Sequence, residues 1–409
     1  MADRADVDAR LAEVLREERS RLVGALVRIL DDWDVAEELV QDAAVAALEH
    51  WAVDGIPHNP GAWLMTTARR RAVDRLRRRA RYRERMALLT AEAREMDRPA
   101  ATDGPLGADD RLRLLFTCCH PALNREAQVA LTLRTVAGLE TAAVARAFIV
   151  PEATIAQRLV RAKRKIRDAR IPYRVPDDAE LPARLGEVLS VLYLVFNEGY
   201  LASSGESAER RDLARDAEWL TSLVARLMPD EPEVLGLLAL MRLHLARADA
   251  RFGPDGSLVL LPDQDRSRWD AAEIGASIEL LARAERIRRP GPYQLQAAIV
   301  AIHALAPSWD ATPWAAVVAA YDALVRIQPT PVVQLNRALA LAERDGPAAA
   351  LNALAPLAER LDGYHLFHAA RGELLRRAGD ADAAREANRR ALELTSNPAE
   401  RRLIQERLA

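Results

Sequence analysis

Nearly every long segment of this chain repeats its apolar residues every three or four positions, and almost none alternates them. A period near 3.6 is the mark of an amphipathic helix, whereas strict alternation marks a half-buried strand. The residues that carry the period are mostly Ala, Leu and Arg, which lose little on entering a helix. An all-α fold is therefore expected. With 409 residues, half of them hydrophobic, the chain has the length for two to four domains with real cores.

The punctuation divides it further. Residues 9–50 are predicted to form two helices, one around Leu11–Leu30 and one from Val35 to Trp51. WAVDGIPHNPG (51–61) is a loop by its Gly and Pro content. A helix follows from Ala62 to about Arg85, roughly 36 Å long at 1.5 Å per residue. Residues 91–108 are polar, contain Pro and Gly and lack a period, as a linker does. A second helical block spans Asp109–Arg170, and IPYRVPDDAELP (171–182) is a second boundary. From Ala183 onward helical hairpins dominate, interrupted by RFGPDGSLVLLPDQD (251–265), a loop with room for a short strand pair. Gly346 and Gly379 align two helical segments at a period of 33. Gly372, Leu375, Gly379, Ala384 and Ala391 match the small and apolar positions of a tetratricopeptide repeat, with an alanine-rich helical bundle as the alternative. The expected division is a domain at 1–88, a linker at 89–108, a domain at 109–172 and a helical-repeat domain at 183–409.

Charge is distributed unevenly along this frame. From Arg69 to Arg85 ten arginines face two acids, a local charge of +8 on a chain whose net charge is −2, so the remainder sums to −10. Lysine occurs only at positions 163 and 165, so Arg in place of Lys carries little meaning, but the clustering does. Charge of this density binds phosphates through counterion release. A solvated surface or an RNA-binding arm remains open, whereas a membrane-surface helix would need a wider apolar face than Trp63, Leu64, Thr67, Ala68 and Leu76 supply. A second basic segment lies in GLETAAVARAFIVPEATIAQRLVRAKRKIR (138–167). Val144, Ala145, Phe148, Ile155, Leu159, Ala162 and Ile166 make one apolar face, and Pro151 suits the start of the second helix. Thr154, Arg158, Arg161 and Lys165 form a stripe on the outer face of that second helix, and seven basic residues against one acid lie between Arg158 and Arg170. This is the pattern of a helix-turn-helix whose second helix enters a major groove. Its first polar residues, Thr154 and Gln157 among them, reach base edges and its later basic residues hold phosphates.

Other classes find little support. Two adjacent cysteines, Cys118 and Cys119, cannot make a disulfide framework and fit a reducing cytoplasm. The charged N-terminal stretch has no apolar signal region, and no run of eighteen apolar residues exists, so a cytoplasmic protein is expected. Cys118, Cys119 and His120 lack the spacing and fourth partner of a zinc site, so buried thiols are expected and no metal. HExxH, P-loop, GxGxxG and GxSxG patterns are absent, which points away from an enzyme and from a cofactor. FNEGY (Phe196–Tyr200) and LPDQDRSRWD (Leu261–Asp270) are polar stretches beside apolar helices, open to reading as buried networks or as a small-ligand site.

DVAEELVQDAAVAALEHW followed by GAWLMTTARRRAVDRLRR resembles domain two of bacterial sigma factors of the extracytoplasmic-function type, and the segment ending QRLVRAKRKIR resembles their domain four. LFTCCHPAL, LYLVFNEGYLASSGE and GPYQLQAAIVAIHALA are similar to the subgroup with a tetratricopeptide-like C-terminal extension. The resemblance implies that Asp34, Glu37, Glu38, Gln41 and Asp42 dock on the β′ clamp helices of core RNA polymerase, with the β flap and promoter DNA as further partners. It implies that 51–61 and the next helix read and melt the minus-ten element, with His58, Asn59 and Trp63 capturing an unpaired base; Trp63 is equally placed to be core. Arg69, Arg70, Arg71, Arg75, Arg77 and Arg78 would hold phosphates of the melted strand; many members carry Asn where Arg70 stands, so phosphate contact is the expectation there. Domain four would read the minus-thirty-five element. The C-terminal domain is expected to regulate, without a dedicated anti-sigma partner and with small YCII/DGPF-type proteins as functional neighbours. A helix-turn-helix activator with a repeat-type sensor domain is the alternative.

Overall fold

The computed structural model describes residues 4–30, 32–89, 110–148, 150–201, 208–251, 253, 257–395 and 397–408; the expected linker lies outside them beyond Leu89. Among the described residues every regular element is helical, and the chain divides into two compact units, 1–195 and 196–409.

The first unit opens with three long helices, α1 (Arg4–Leu30), α2 (Trp33–Asp54) and α3 (Pro60–Leu89). Asp32 sets the start of α2 by accepting the Val35 N–H at 3.2 Å, and Gly55, at φ 85°, ends it. Leu22 and Leu26 of α1, Ala43, Ala47 and Trp51 of α2, and Leu64 and Ala68 of α3 are fully buried and form the core of this trio. The buried stripe of α3 continues to Ala72, whereas Leu76, expected on the inner face, is 38% exposed. Residues 64, 68 and 72 step by four, and the straight helix carries position 76 away from its neighbours.

Four shorter helices follow: α4 (Asp110–Cys118), α5 (Arg125–Leu131), α6 (Thr141–Ala147) and α7 (Glu152–Asp168). Asn124 caps α5 through the Ala127 N–H at 2.9 Å, and a π-helical turn at Thr132–Val136 extends it. The second of the expected apolar faces is present: Val144, Ala145, Ile155, Leu159, Ala162 and Ile166 are buried and Phe148 half-buried. This block packs on α1. The approach is close: a Cβ on Gly24 would stand 2.8 Å from the Tyr173 hydroxyl and 2.9 Å from the Asp110 carbonyl oxygen. Tyr173 donates to that carbonyl at 3.0 Å, Arg28 pairs with the Asp110 carboxylate at 3.2 Å, and the Trp33 ring meets Tyr173 edge-on at 6.5 Å.

Helix α8 (Leu181–Leu201) contains the junction between the units. Its N-terminal half belongs to the first, where Arg184 donates to the Phe116 carbonyl at 2.6 Å and Glu187 pairs with Arg125 at 3.1 Å. The compact first unit thus includes residues 183–195, which the sequence pattern groups with the C-terminal domain.

The second unit continues with α9 (Ala208–Leu227), α10 (Pro232–Leu245), α11 (Ala271–Arg286), α12 (Pro292–Leu305), α13 (Trp314–Ile327), α14 (Pro331–Asp345), α15 (Pro347–Leu354), α16 (His365–Arg377), α17 (Ala381–Leu394) and α18 (Pro398–Leu408). Proline begins α10, α12, α14 and α15, where its missing N–H costs nothing. Helix α10 is buried on all sides by α9, α11 and α12. The hairpins α14–α15 and α16–α17 turn at Gly346 and Gly379, both at φ near 90°. The 251–265 loop doubles back through two antiparallel backbone bonds, Val259 N to the Arg251 carbonyl at 2.8 Å and Gly253 N to the Ser257 carbonyl at 2.9 Å, so the expected strand pair is reduced to a single β-bridge at Leu258. It leads into 3-10 turns at 261–263 and 266–268.

Candidate nucleic-acid and polymerase interface

Asp34, Glu37, Glu38, Gln41 and Asp42 recur at three- and four-residue spacing and so share one flank of α2. Four of the five are engaged by cations of the same unit. Arg71 lies 3.3 Å from Asp42 and Arg75 3.0 Å from Glu38. The arginines are one turn apart on α3, their partners one turn apart on α2 in the opposite direction, as antiparallel neighbours require. All four side chains are a third or more exposed, so each pair contributes about 0–1 kcal/mol and exchanges readily with water or another charge.

The other two acids are held from the helix-turn-helix. Lys163 Nζ lies 2.9 Å from Asp34 Oδ1 and 3.1 Å from Glu37 Oε2. The Lys163 and Glu37 side chains are only 13% and 15% exposed, so that pair is sheltered where the arginine pairs are not, whereas the Asp34 side chain is 69% exposed. Arg19 sits in the same region, its guanidinium lowered from its ordinary pKa by burial and then by Arg134.

On the nucleic-acid side, His58 and Asn59 are exposed in the turn before α3. Asn59 also caps that helix: its Oδ1 accepts the Ala62 N–H at 3.0 Å, leaving its amide N–H2 as the group able to meet a base. Trp63 is half-buried, its ring 5.7 Å from Trp51 and 5.9 Å from His50. Arg69, Arg70, Arg77 and Arg78 are exposed; Arg77 lies 3.8 Å from Asp74 and Arg78 Nε donates to the Asp74 carbonyl at 3.3 Å. On α7, Gln157, Arg161 and Lys165 are exposed and Thr154 and Arg158 half-buried, so the stripe faces outward beside the buried Ile155, Leu159 and Ala162. Arg71, Arg75 and Lys163 thus belong to an acid–base contact set as well as to the basic surfaces, a pairing that spacing along one helix does not reveal.

Cys118 and Cys119 are both buried, and burial pushes the Cys119 thiol up to about 12 despite a 3.5 Å contact with the Thr132 hydroxyl. Among the described residues no cluster of three metal-binding side chains occurs, and no helix is long and apolar enough to cross a membrane.

Residues 14–82 match the family Sigma-70 region 2 and residues 113–166 the family Sigma-70, region 4. Residues 184–285 match a family of unknown function, DUF6596. ECF RNA polymerase sigma factor SigK of Mycobacterium bovis (strain BCG / Pasteur 1173P2) is 30% identical over 164 residues, 39% of this chain and 85% of that protein. The chain belongs to the ECF RNA polymerase sigma factor family. The SigK of Mycobacterium ulcerans (strain Agy99) is 28% identical over 40% of the chain and 92% of its own length. An uncharacterized protein of Rhizobium meliloti (strain 1021) is 44% identical over 95% of the chain and 93% of its own length, so its likeness spans the C-terminal unit as well. No solved structure matches. The two sigma-factor matches fall on the acidic flank of α2 with the basic helix α3, and on the helix-turn-helix α6–α7. These domains imply core RNA polymerase and promoter DNA as partners of this sigma factor.

Proposed function

We propose that this sigma factor directs promoter-specific initiation, with α2 docking on the polymerase clamp, the 51–61 loop and α3 opening and reading the minus-ten element, and α7 reading the minus-thirty-five element. The observation that carries the reading is the adjacency of an acidic flank and a basic helix, Glu38 and Asp42 beside Arg75 and Arg71, within the segment that matches region 2. A polymerase surface presenting arginines would take over the acids and free the α3 arginines for phosphate. Glu37 becomes available only when Lys163 leaves it, so polymerase binding and separation of α7 from α2 are linked. The C-terminal unit acts as the regulator in this reading. Its hairpins, with Gly346 and Gly379 at equivalent turns, suit a tetratricopeptide-like surface for a protein partner. Domain two is taken as 1–88 and domain four as 109–172.

Arg69 and Arg70 test the melting role best, because both are exposed and neither belongs to the acid pairs. Reversing both to Glu should leave core binding intact and abolish permanganate reactivity of promoter thymines. Normal thymine reactivity in that variant would reject the assignment.

A further inference from the structure

Helix α7 buries Ile155, Leu159, Ala162 and Ile166, and the rest of its surface is mostly basic and polar. Val160 breaks that pattern, for it is apolar and 67% exposed. At about 100° per residue it stands roughly 130° from the middle of the buried stripe, well out on the opposite face. Gln157, one turn before it, and Arg164, one turn after, are its neighbours there, and both are exposed. Thr154, Arg158, Arg161 and Lys165 run along one flank of that face. Ala153 and Ala156, also exposed, precede Val160 by two turns and by one. No long side chain at those two positions holds the helix away from a surface laid against it.

Neither the helix nor the core accounts for a valine at this position. A β-branched residue is a weaker helix former than the Arg, Lys and Gln around it, and leaving its two methyl groups in water is unfavourable. Single exposed apolar residues are ordinary on protein surfaces. This one differs in its setting. It lies among cationic and amide side chains on the second helix of a helix-turn-helix, within residues 113–166 that match Sigma-70, region 4. A face of that composition meets DNA through phosphates and base edges. The apolar group that base edges offer in the major groove is the C5-methyl of thymine. Against a polar edge, the valine methyls would displace water from a donor or acceptor and return no hydrogen bond.

We propose that Val160 packs against a thymine methyl group and fixes that base pair as one letter of the minus-thirty-five element. The inference rests on α7 as the reader of that element, and adds a specificity residue that carries no charge and makes no hydrogen bond. Gln157 and Arg164, which can bond adjacent base edges and phosphates, close water out around the contact. Thymine is thereby told from cytosine, a distinction that contacts to phosphate cannot make.

The test uses holoenzyme, the full chain with core polymerase, on duplex promoters at which it initiates. Each thymine of the minus-thirty-five element is replaced in turn by deoxyuridine, which lacks only the methyl group. With the wild type, one such replacement should weaken binding about three- to tenfold, the loss of one well-packed apolar contact. Val160→Ala removes both valine methyls yet favours the helix. It should weaken binding to the thymine duplex by a similar factor and abolish the effect of uracil at that one position. Its salt dependence should match the wild type, since no phosphate contact is lost. Three outcomes overturn the inference while leaving α7 as the reader: no uracil-sensitive position with the wild type, a variant that binds the thymine duplex as tightly as the wild type, or a variant whose loss is the same on thymine and uracil duplexes at every position. Binding indifferent to replacement of the whole minus-thirty-five element would instead remove the reading of α7, and this inference with it.

Discussion

Lys163 is one of two lysines in the chain, and its side chain joins the helix-turn-helix to the acids of α2 at 2.9 and 3.1 Å. An intramolecular competitor for Glu37 reduces the fraction of molecules competent to dock, and apparent affinity falls in proportion. Lys163→Met should therefore tighten binding to core polymerase, measured by fluorescence titration without DNA, by about fivefold if the contact contributes ~1 kcal/mol. Unchanged or weaker binding would show that the contact does not compete with docking. At this scale the sequence is an incomplete guide. The acidic flank and the basic cluster are both legible in it, but their mutual pairing depends on how separate helices pack, which periodicity does not encode. Asn59 illustrates the same limit: a residue suited to reading a base also caps α3, and only the 3.0 Å contact to the Ala62 N–H exposes the second task. Leu76 and Ala72 show it for the core, where one more turn of α3 carries a leucine into solvent.

Helices are the most legible elements, because caps and period agree. Asp32 begins α2, Asn124 α5, Asp270 α11, Thr330 α14 and Asp380 α17, each accepting a backbone N–H of the first turn. The π-helical turn at Thr132–Val136, which packs against α1 and α4, was not legible: its β-branched Thr132, Thr135 and Val136 lower helix propensity but do not specify a π turn. Helix α7 is the element whose role is easiest to isolate, because its stripe points away from its buried face. Arg158→Ala or Arg161→Ala should weaken binding to duplex carrying the minus-thirty-five element, measured across salt concentrations. A phosphate contact should cost affinity on every sequence and reduce the salt slope by about one; a base contact should relax one promoter position, at about 1–3 kcal/mol. Wild-type affinity and specificity in both variants would reduce the stripe to solvated surface.

Across the whole molecule, the sequence places the two sigma-factor segments and the helical C-terminal region in order, while the edge of the first compact unit lies beyond the Pro-rich 171–182 stretch. Arg184 and Glu187 tie the first half of α8 to Phe116 and Arg125, contacts between residues some sixty positions apart that composition does not reveal. A cut that preserves the first unit therefore falls after Leu201, at the end of α8, rather than within the 171–182 stretch. The proposed reading divides function in the same way, with initiation in the first unit and regulation in the second. Both are tested together by sequencing the 5′ ends of transcripts made in vitro on genomic DNA by core polymerase alone, by core with the full chain, and by core with residues 1–201. The full chain should create a set of starts, absent with core alone, that share elements near minus ten and minus thirty-five, and the truncated chain should make those starts at a clearly raised or lowered level. Starts identical to those of core alone would contradict the assignment of this chain as an initiation factor, and full-length activity from residues 1–201 would contradict the regulatory role of the second unit.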